Sequence, residues 1–215
     1  LVATDGRRLL AVRLPCTQYT FDREDDDCDR EQIRMPARVA KLVAGLAKGR
    51  DYQGMHLITN DKQPKCARIV IGDDWLIWCR LADGRFPRWH DVFLLDSPEA
   101  TLKLGAGDAL DLATTAKAQT TKESRGIDFT FDANSLEIVA PGNFVYQTSA
   151  VLCDASKPIR ACLDPRYLVD VLKTVGAQIL TAWDVIDAKN PVVIRWTSST
   201  GASCRYAVMP LSKHD

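Results

Sequence analysis

A proline-opened helix followed by three short strands occurs twice along this chain, and few folds accommodate that pattern. In residues 34–49, Met35, Val39, Leu42, Val43 and Leu46 fall on one face at helical spacing, and Pro36 suits the first turn. Strands are predicted after it over 55–59, 67–71 and 75–81. In residues 164–176, Asp164 is a helix cap, Pro165 suits the first helical position, and Leu168, Val171, Leu172 and Val175 form one stripe before Gly176. Strands over 179–181, 192–196 and 203–209 follow. Ahead of this second unit lies a further helix over 107–121, with Ala109, Leu112, Ala113 and Ala116 on one side and Asp108 as its cap. Its own strands are predicted over 127–131, 136–139 and 144–152. Only a strand over 9–14 precedes the first unit, so the first domain reads as having lost its opening half. Most connections are too short for parallel crossovers, so the expectation is an α+β fold of repeated helix-plus-antiparallel-sheet units.

Composition narrows what such a fold does. Lys plus Arg number 28 and Asp plus Glu number 28, so no whole-molecule field draws the chain to nucleic acid or an anionic membrane. Any such binding has to come from local charge segregation. No apolar run approaches the ~20 residues of a membrane span. The seven cysteines are scattered and never spaced C-x-x-C, which fits reduced thiols in a cytoplasm and argues against a metal site. The opening Leu1-Val2-Ala3-Thr4-Asp5-Gly6 reads as the interior of a longer chain.

Catalytic signals are missing. His56, His90 and His214 are the only histidines, none stands beside a cysteine, and no nucleophile elbow, phosphate loop or zinc-protease motif occurs. No catalytic residue, metal ligand or cofactor is assigned. The acidic run Asp22-Arg23-Glu24-Asp25-Asp26-Asp27-Cys28-Asp29-Arg30-Glu31 lacks the spacing and central glycine of a calcium loop and reads as a solvated loop. On the first helix Arg34, Arg38, Lys41 and Lys48 share an arc away from the apolar stripe. On the 164–176 helix Arg166 and Lys173 share a face interrupted by Asp170. A single such helix reads as an ordinary solvated surface. Its recurrence favours a surface suited to phosphates without base readout.

Four ordered motifs resemble one family. Leu1-Val2-Ala3-Thr4-Asp5-Gly6-Arg7-Arg8-Leu9 resembles the V-A-T-D-G-H-R-L turn of the bacterial DNA polymerase III beta subunit, the sliding clamp. Asp83-Gly84-Arg85-Phe86-Pro87 is similar to that family's D-G-R-F-P-D-Y junction segment. Tyr167-Leu168-Val169-Asp170-Val171-Leu172 resembles its Y-V-L-D-V-L helix, and Tyr206-Ala207-Val208-Met209-Pro210-Leu211 its terminal Y-V-V-M-P-M. Ser124-Arg125-Gly126-Ile127 also resembles the family's F-R-G-V.

The resemblance implies a DNA clamp fold with helices on the inner face and sheets outside. Residues 1–92 would be the later part of a second domain, 93–215 a complete third domain, and a first domain would be absent. It implies a non-catalytic processivity factor that encircles duplex DNA and tethers DNA polymerase and clamp-loader subunits through short hydrophobic peptides. A homodimer ring is expected only with the missing N-terminal domain present. The alternative is a clamp-related interaction module that does not close a ring. Carried over by motif, the peptide pocket comprises Thr4, Gly6, Arg7, Arg8, Leu9, Pro87, Val92, Tyr167, Met209, Pro210 and Leu211, and Arg34, Arg38, Lys41, Lys48, Arg166 and Lys173 face DNA. Without the resemblance, Leu9 reads as a core strand residue and 209–211 as a buried strand end. Arg7, Trp89, Asp91 and the tail Ser212-Lys213-His214-Asp215 depart from the family pattern.

Overall fold

The computed structural model describes residues 1–14, 34–48, 52–60, 63–83, 88–93, 97–122, 124–140, 144–148 and 152–211. The acidic run at 22–31, the glycine of the 83–87 motif, Pro87 and the tail beyond Leu211 lie outside them. The elements in chain order are β1 (Val2–Thr4), β2 (Arg8–Arg13), α1 (Ala37–Ala47), β3 (Tyr52–Asn60), β4 (Gln63–Ile71), β5 (Trp75–Arg80) and α2 (Trp89–Val92). They continue with β6 (Ala100–Gly105), α3 (Ala106–Ala118), β7 (Ile127–Asp132), β8 (Ser135–Ala140), β9 (Phe144–Thr148), β10 (Leu152–Ala155) and β11 (Ile159–Leu163). The last are α4 (Pro165–Leu172), β12 (Leu180–Val185), β13 (Val192–Thr197) and β14 (Ser203–Val208). Among the described residues, helix followed by three antiparallel strands therefore occurs three times, as α1-β3-β4-β5, α3-β7-β8-β9 and α4-β12-β13-β14.

Two compact units result, Thr20–Arg88 and the union of Leu1–Tyr19 with Trp89–Asp215. This division differs from a boundary at 92/93, because β2 pairs antiparallel with β14 along its whole length, from Arg8 opposite Val208 to Arg13 opposite Ser203. In the smaller unit α1 lies on the sheet β3-β4-β5 and packs Val39, Val43 and Leu46 against Ala67, Ile69, Ile71, Cys79 and Leu81. Leu42 sits at the edge of that helical arc and is 51% exposed, against the expectation of a core position. Pro36 precedes the helix as its cap and supplies no side-chain hydrogen bond.

The larger unit carries a seven-stranded sheet, β1-β2-β14-β13-β12-β6-β10, and a four-stranded sheet, β11-β7-β8-β9. One core joins both sheets to α3 and α4, with Trp183, Phe129, Phe131, Leu102, Leu168 and Leu172 fully buried. The opening strands are exchanged: β6, which precedes α3, pairs with β12 of the next repeat, and β11, which precedes α4, pairs with β7 of the previous one. Asp164 caps α4 as the sequence predicts, accepting from the Arg166 N–H at 3.0 Å with Pro165 at the first position. Helix α3 starts at Ala106 with Gly105, not Asp108, at the cap position and with no side-chain cap. Buried polar groups are satisfied in series: Trp183 Nε1 donates to Thr181 Oγ1 at 3.0 Å, and that hydroxyl donates to the Leu104 carbonyl at 2.7 Å.

Candidate functional site

The turn between β1 and β2 is built by its own side chains. Gly6 adopts φ +87, a left-handed conformation in which a Cβ is strained. Thr4 Oγ1 donates to the Arg8 carbonyl at 2.8 Å and accepts from the Gly6 N–H at 3.1 Å. Asp5 Oδ1 accepts from the N–H groups of Arg7 and Arg8, each at 3.1 Å. Partial burial raises the Asp5 pKa, but these bonds and the Arg8 guanidinium outweigh it and hold the carboxyl below its ordinary value.

Arg8 connects this turn to α4 and the chain end. Its Nε donates to Asp5 at 2.8 Å, its Nη1 donates to Asp170 at 2.8 Å, and its Cζ stands 4.7 Å from the centre of the Tyr167 ring. Burial pulls the guanidinium pKa down, and the two carboxylates more than restore it. The Tyr206 hydroxyl donates to the Tyr167 carbonyl at 3.0 Å, and burial pushes its pKa up to about 12 despite the neighbouring Arg8 charge. The Met209 N–H donates to the Arg7 carbonyl at 2.9 Å, and the Leu211 N–H donates to the Cys162 carbonyl at 2.8 Å. Gly126 is required beneath this tail: a Cβ there would stand 2.5 Å from Cys162 Sγ and 3.3 Å from Leu211 Cδ1.

The pocket residues divide between the two faces of the seven-stranded sheet. Leu10, Tyr206 and Tyr167 pack with the main core. Leu9, Ala11, Val193 and Ala207 form a second cluster on the opposite face, with Trp89, Val92 and Phe93 packed against it. Leu9 is only 6% exposed, so its side chain is the floor of this apolar patch and not an open wall. Met209 is 40% exposed, contrary to a buried strand end, while Pro210 and Leu211 are half-buried. Thr4, Gly6 and Arg7 are exposed at the turn. Sequence reasoning misses Asp5, Phe93 and Tyr206 as parts of this arrangement; the D-G turn flags Asp5, whereas Tyr206 is revealed by the β2–β14 pairing and Phe93 by its packing on the Leu9 cluster.

The cationic helix positions are not equivalent. Arg38 and Lys41 on α1, Lys48 just after it, and Lys173 just after α4 are exposed. Arg34 is half-buried and its Nε donates to the Ala82 carbonyl at 3.2 Å. The Arg166 guanidinium is engaged by Asp164, which raises its pKa, so it serves the start of α4 rather than standing free. Asp170, the acidic interruption of that helix face, is answered by Arg8.

No family model matches this sequence, and no curated protein matches it. Solved structures do. A DNA polymerase III beta subunit from Eubacterium rectale superposes with TM-score 0.78 at 14% identity, over 100% of this chain and 54% of that one. The DNA polymerase III subunit beta from Pseudomonas aeruginosa gives 0.75 at 20% identity over 98% of this chain and 54% of its own. A sliding clamp from Bartonella birtlesii bound to griselimycin gives 0.74 at 19% identity, over 98% of this chain and 54% of its own. No helix among the described residues is long and apolar enough to cross a membrane. The chain thus has the sliding-clamp fold, mixed helix and antiparallel sheet, and spans about half the length of the clamps that it matches.

Proposed function

We propose that this chain is the second-and-third-domain portion of a sliding clamp, a non-catalytic platform in the cytoplasm that holds DNA polymerase and clamp-loader subunits at duplex DNA. Residues 1–92 correspond to the later part of the second domain and 93–215 to the third. The observation that carries the reading is the convergence of three motifs remote in sequence: the Thr4–Leu9 turn meets the Tyr167–Asp170 helix segment through Arg8 and the Met209–Leu211 end through the Arg7 carbonyl. An apolar floor of Leu9, Ala207 and Val193 with an exposed adaptable methionine suits an extended peptide with a hydrophobic anchor, while Arg8 braces the turn from the other face of the sheet.

Duplex DNA is met by screened phosphate contacts from Arg38, Lys41, Lys48 and Lys173, each individually weak, as sliding requires. Arg34 and Arg166 contribute less, since both already serve neighbouring groups. Fluorescence titration with a Gln-started hydrophobic pentapeptide tests the pocket directly. Saturable binding by the folded chain supports it, and a folded chain without saturable binding refutes it. A ring-closing dimer belongs to a protein that carries the remaining domain. The 215-residue chain on its own should sediment without closing a ring.

A further inference from the structure

The sheet face that carries Leu9, Val193 and Ala207 continues directly into positive charge. Side chains two apart on a strand share a face. Arg205, two before Ala207, and Arg195, two after Val193, therefore stand on it and oppose each other across the β13–β14 ladder. Ala182 is opposite Arg195, and Lys103 is opposite Ala182. Lys103, Arg195 and Arg205 line a cavity of about 290 Å³ together with the hydroxyl residues Thr197 and Ser203.

Charge in this cavity is unbalanced. Arg195 is oriented by Asp184, which accepts from both its Nε and its Nη2, the latter at 2.8 Å. Asp184 also accepts from Thr101 Oγ1 at 3.0 Å, so its capacity is largely spent. Lys103 and Arg205 are exposed, and among the described residues neither has an ion-pair partner. Set against Asp184 and the exposed Asp154, which stands on the same face opposite Thr101, the three cations still leave a positive excess beside an apolar patch.

We propose that this cavity receives the carboxylates of the same partner segment whose hydrophobic anchor seats beside Val92 and Met209. The occupant is an acidic peptide with an apolar anchor. The inference rests on the peptide-docking reading above and adds the chemistry of the flanking residues. Two residues of extended chain span about 7 Å, the step from Val193 to Arg195 or from Ala207 to Arg205, so an acid two to four positions from the anchor reaches the cations. A phosphate backbone meets the charge equally well but offers nothing to the apolar patch, which favours the peptide.

Three labelled peptides of equal length test this by fluorescence anisotropy: a Gln-started hydrophobic core flanked by Ser-Ser, the same core flanked by Asp-Asp, and the Asp-Asp flank with the core replaced by Gly and Ser. At low salt the Asp-flanked core should bind about tenfold tighter than the Ser-flanked core. The gap should shrink as salt rises and in the Lys103→Gln/Arg205→Gln chain, and persist in Lys103→Arg/Arg205→Lys. Equal binding of the two core peptides, or a gap that survives the neutralising pair in a chain with parental melting, overturns this inference and leaves the docking reading standing. An anchor-free acidic peptide that binds as tightly as the full one overturns the coupling of cavity to anchor. Failure of every peptide overturns both readings.

Discussion

The Arg8 guanidinium and the Asp170 carboxylate meet at 2.8 Å across 162 positions of sequence, on a surface where Asp170 remains largely in water. A pair so exposed contributes little to stability, within about 1 kcal/mol. Asp170→Asn should therefore leave the denaturant midpoint nearly unchanged while freeing Arg8 to leave the Tyr167 ring, and should weaken binding of the Gln-started pentapeptide. A destabilisation above about 2 kcal/mol would show that the ion pair holds the fold and not the site.

Met209→Asp separates docking from folding. Met209 is 40% exposed and its backbone N–H, not its side chain, ties it to Arg7, so the variant should melt within about 1 kcal/mol of the parent. Peptide binding should be abolished, because the new charge would have to be desolvated against the anchor. A folded variant that binds the pentapeptide as well as the parent refutes the role of Met209.

Tyr206 sets an alkaline limit. Its pKa is raised to about 12 when folded, against the ordinary value near 10. The folded state then holds a proton that the unfolded state releases, so this contribution is complete below pH ~10 and is lost as the pH rises toward ~12. Tyr206→Phe should cost about 1 kcal/mol at neutral pH through the bond to the Tyr167 carbonyl, and should flatten the decline between pH 10 and 12. Equilibrium unfolding of both proteins across that range measures the difference.

Charge reversal on α1 tests the duplex surface. Arg38→Glu with Lys41→Glu should weaken duplex binding alike for unrelated sequences and reduce the salt slope by about 0.9 for each phosphate that is no longer neutralised. Arg166→Gln should instead act through Asp164 and the start of α4, lowering stability more than the slope. A slope untouched by the double reversal rejects the assignment.

Gly126→Ala places a methyl group 2.5 Å from Cys162 Sγ, beneath Leu211. The variant should be destabilised by about 1–3 kcal/mol in equilibrium unfolding as the tail is displaced. Cys162→Ala in the same chain should recover part of that stability.

Much of this architecture is legible in the sequence because the repeats are amphipathic. The stripe on 164–176, with Asp164 and Pro165 before it, locates α4 to within a few residues, and Gly72-Asp73-Asp74 marks the β4–β5 turn. Strands β6 and β11 escape the pattern although Ala100, Leu102 and Leu104 alternate cleanly, because each stands immediately beside a helix and reads as its approach. The exchange of these strands between repeats leaves no local trace, since pairing partners carry no mark in a single sequence. At the site, residue types are readable but facing is not. Leu9 and Arg8 are neighbours in sequence and point to opposite sides of the sheet, a distinction that only the register with Ala207 and Val208 makes.

That exchange also constrains how the chain is made. When β6 leaves the ribosome its partner β12 has yet to be synthesised, and β7 likewise waits for β11. The four-stranded sheet waits for β11, and the seven-stranded sheet waits longer, because β2 pairs with β14 and cannot do so until Val208 has emerged. Unpaired edges therefore stay open through most of translation, which makes this a late-folding, aggregation-exposed nascent chain.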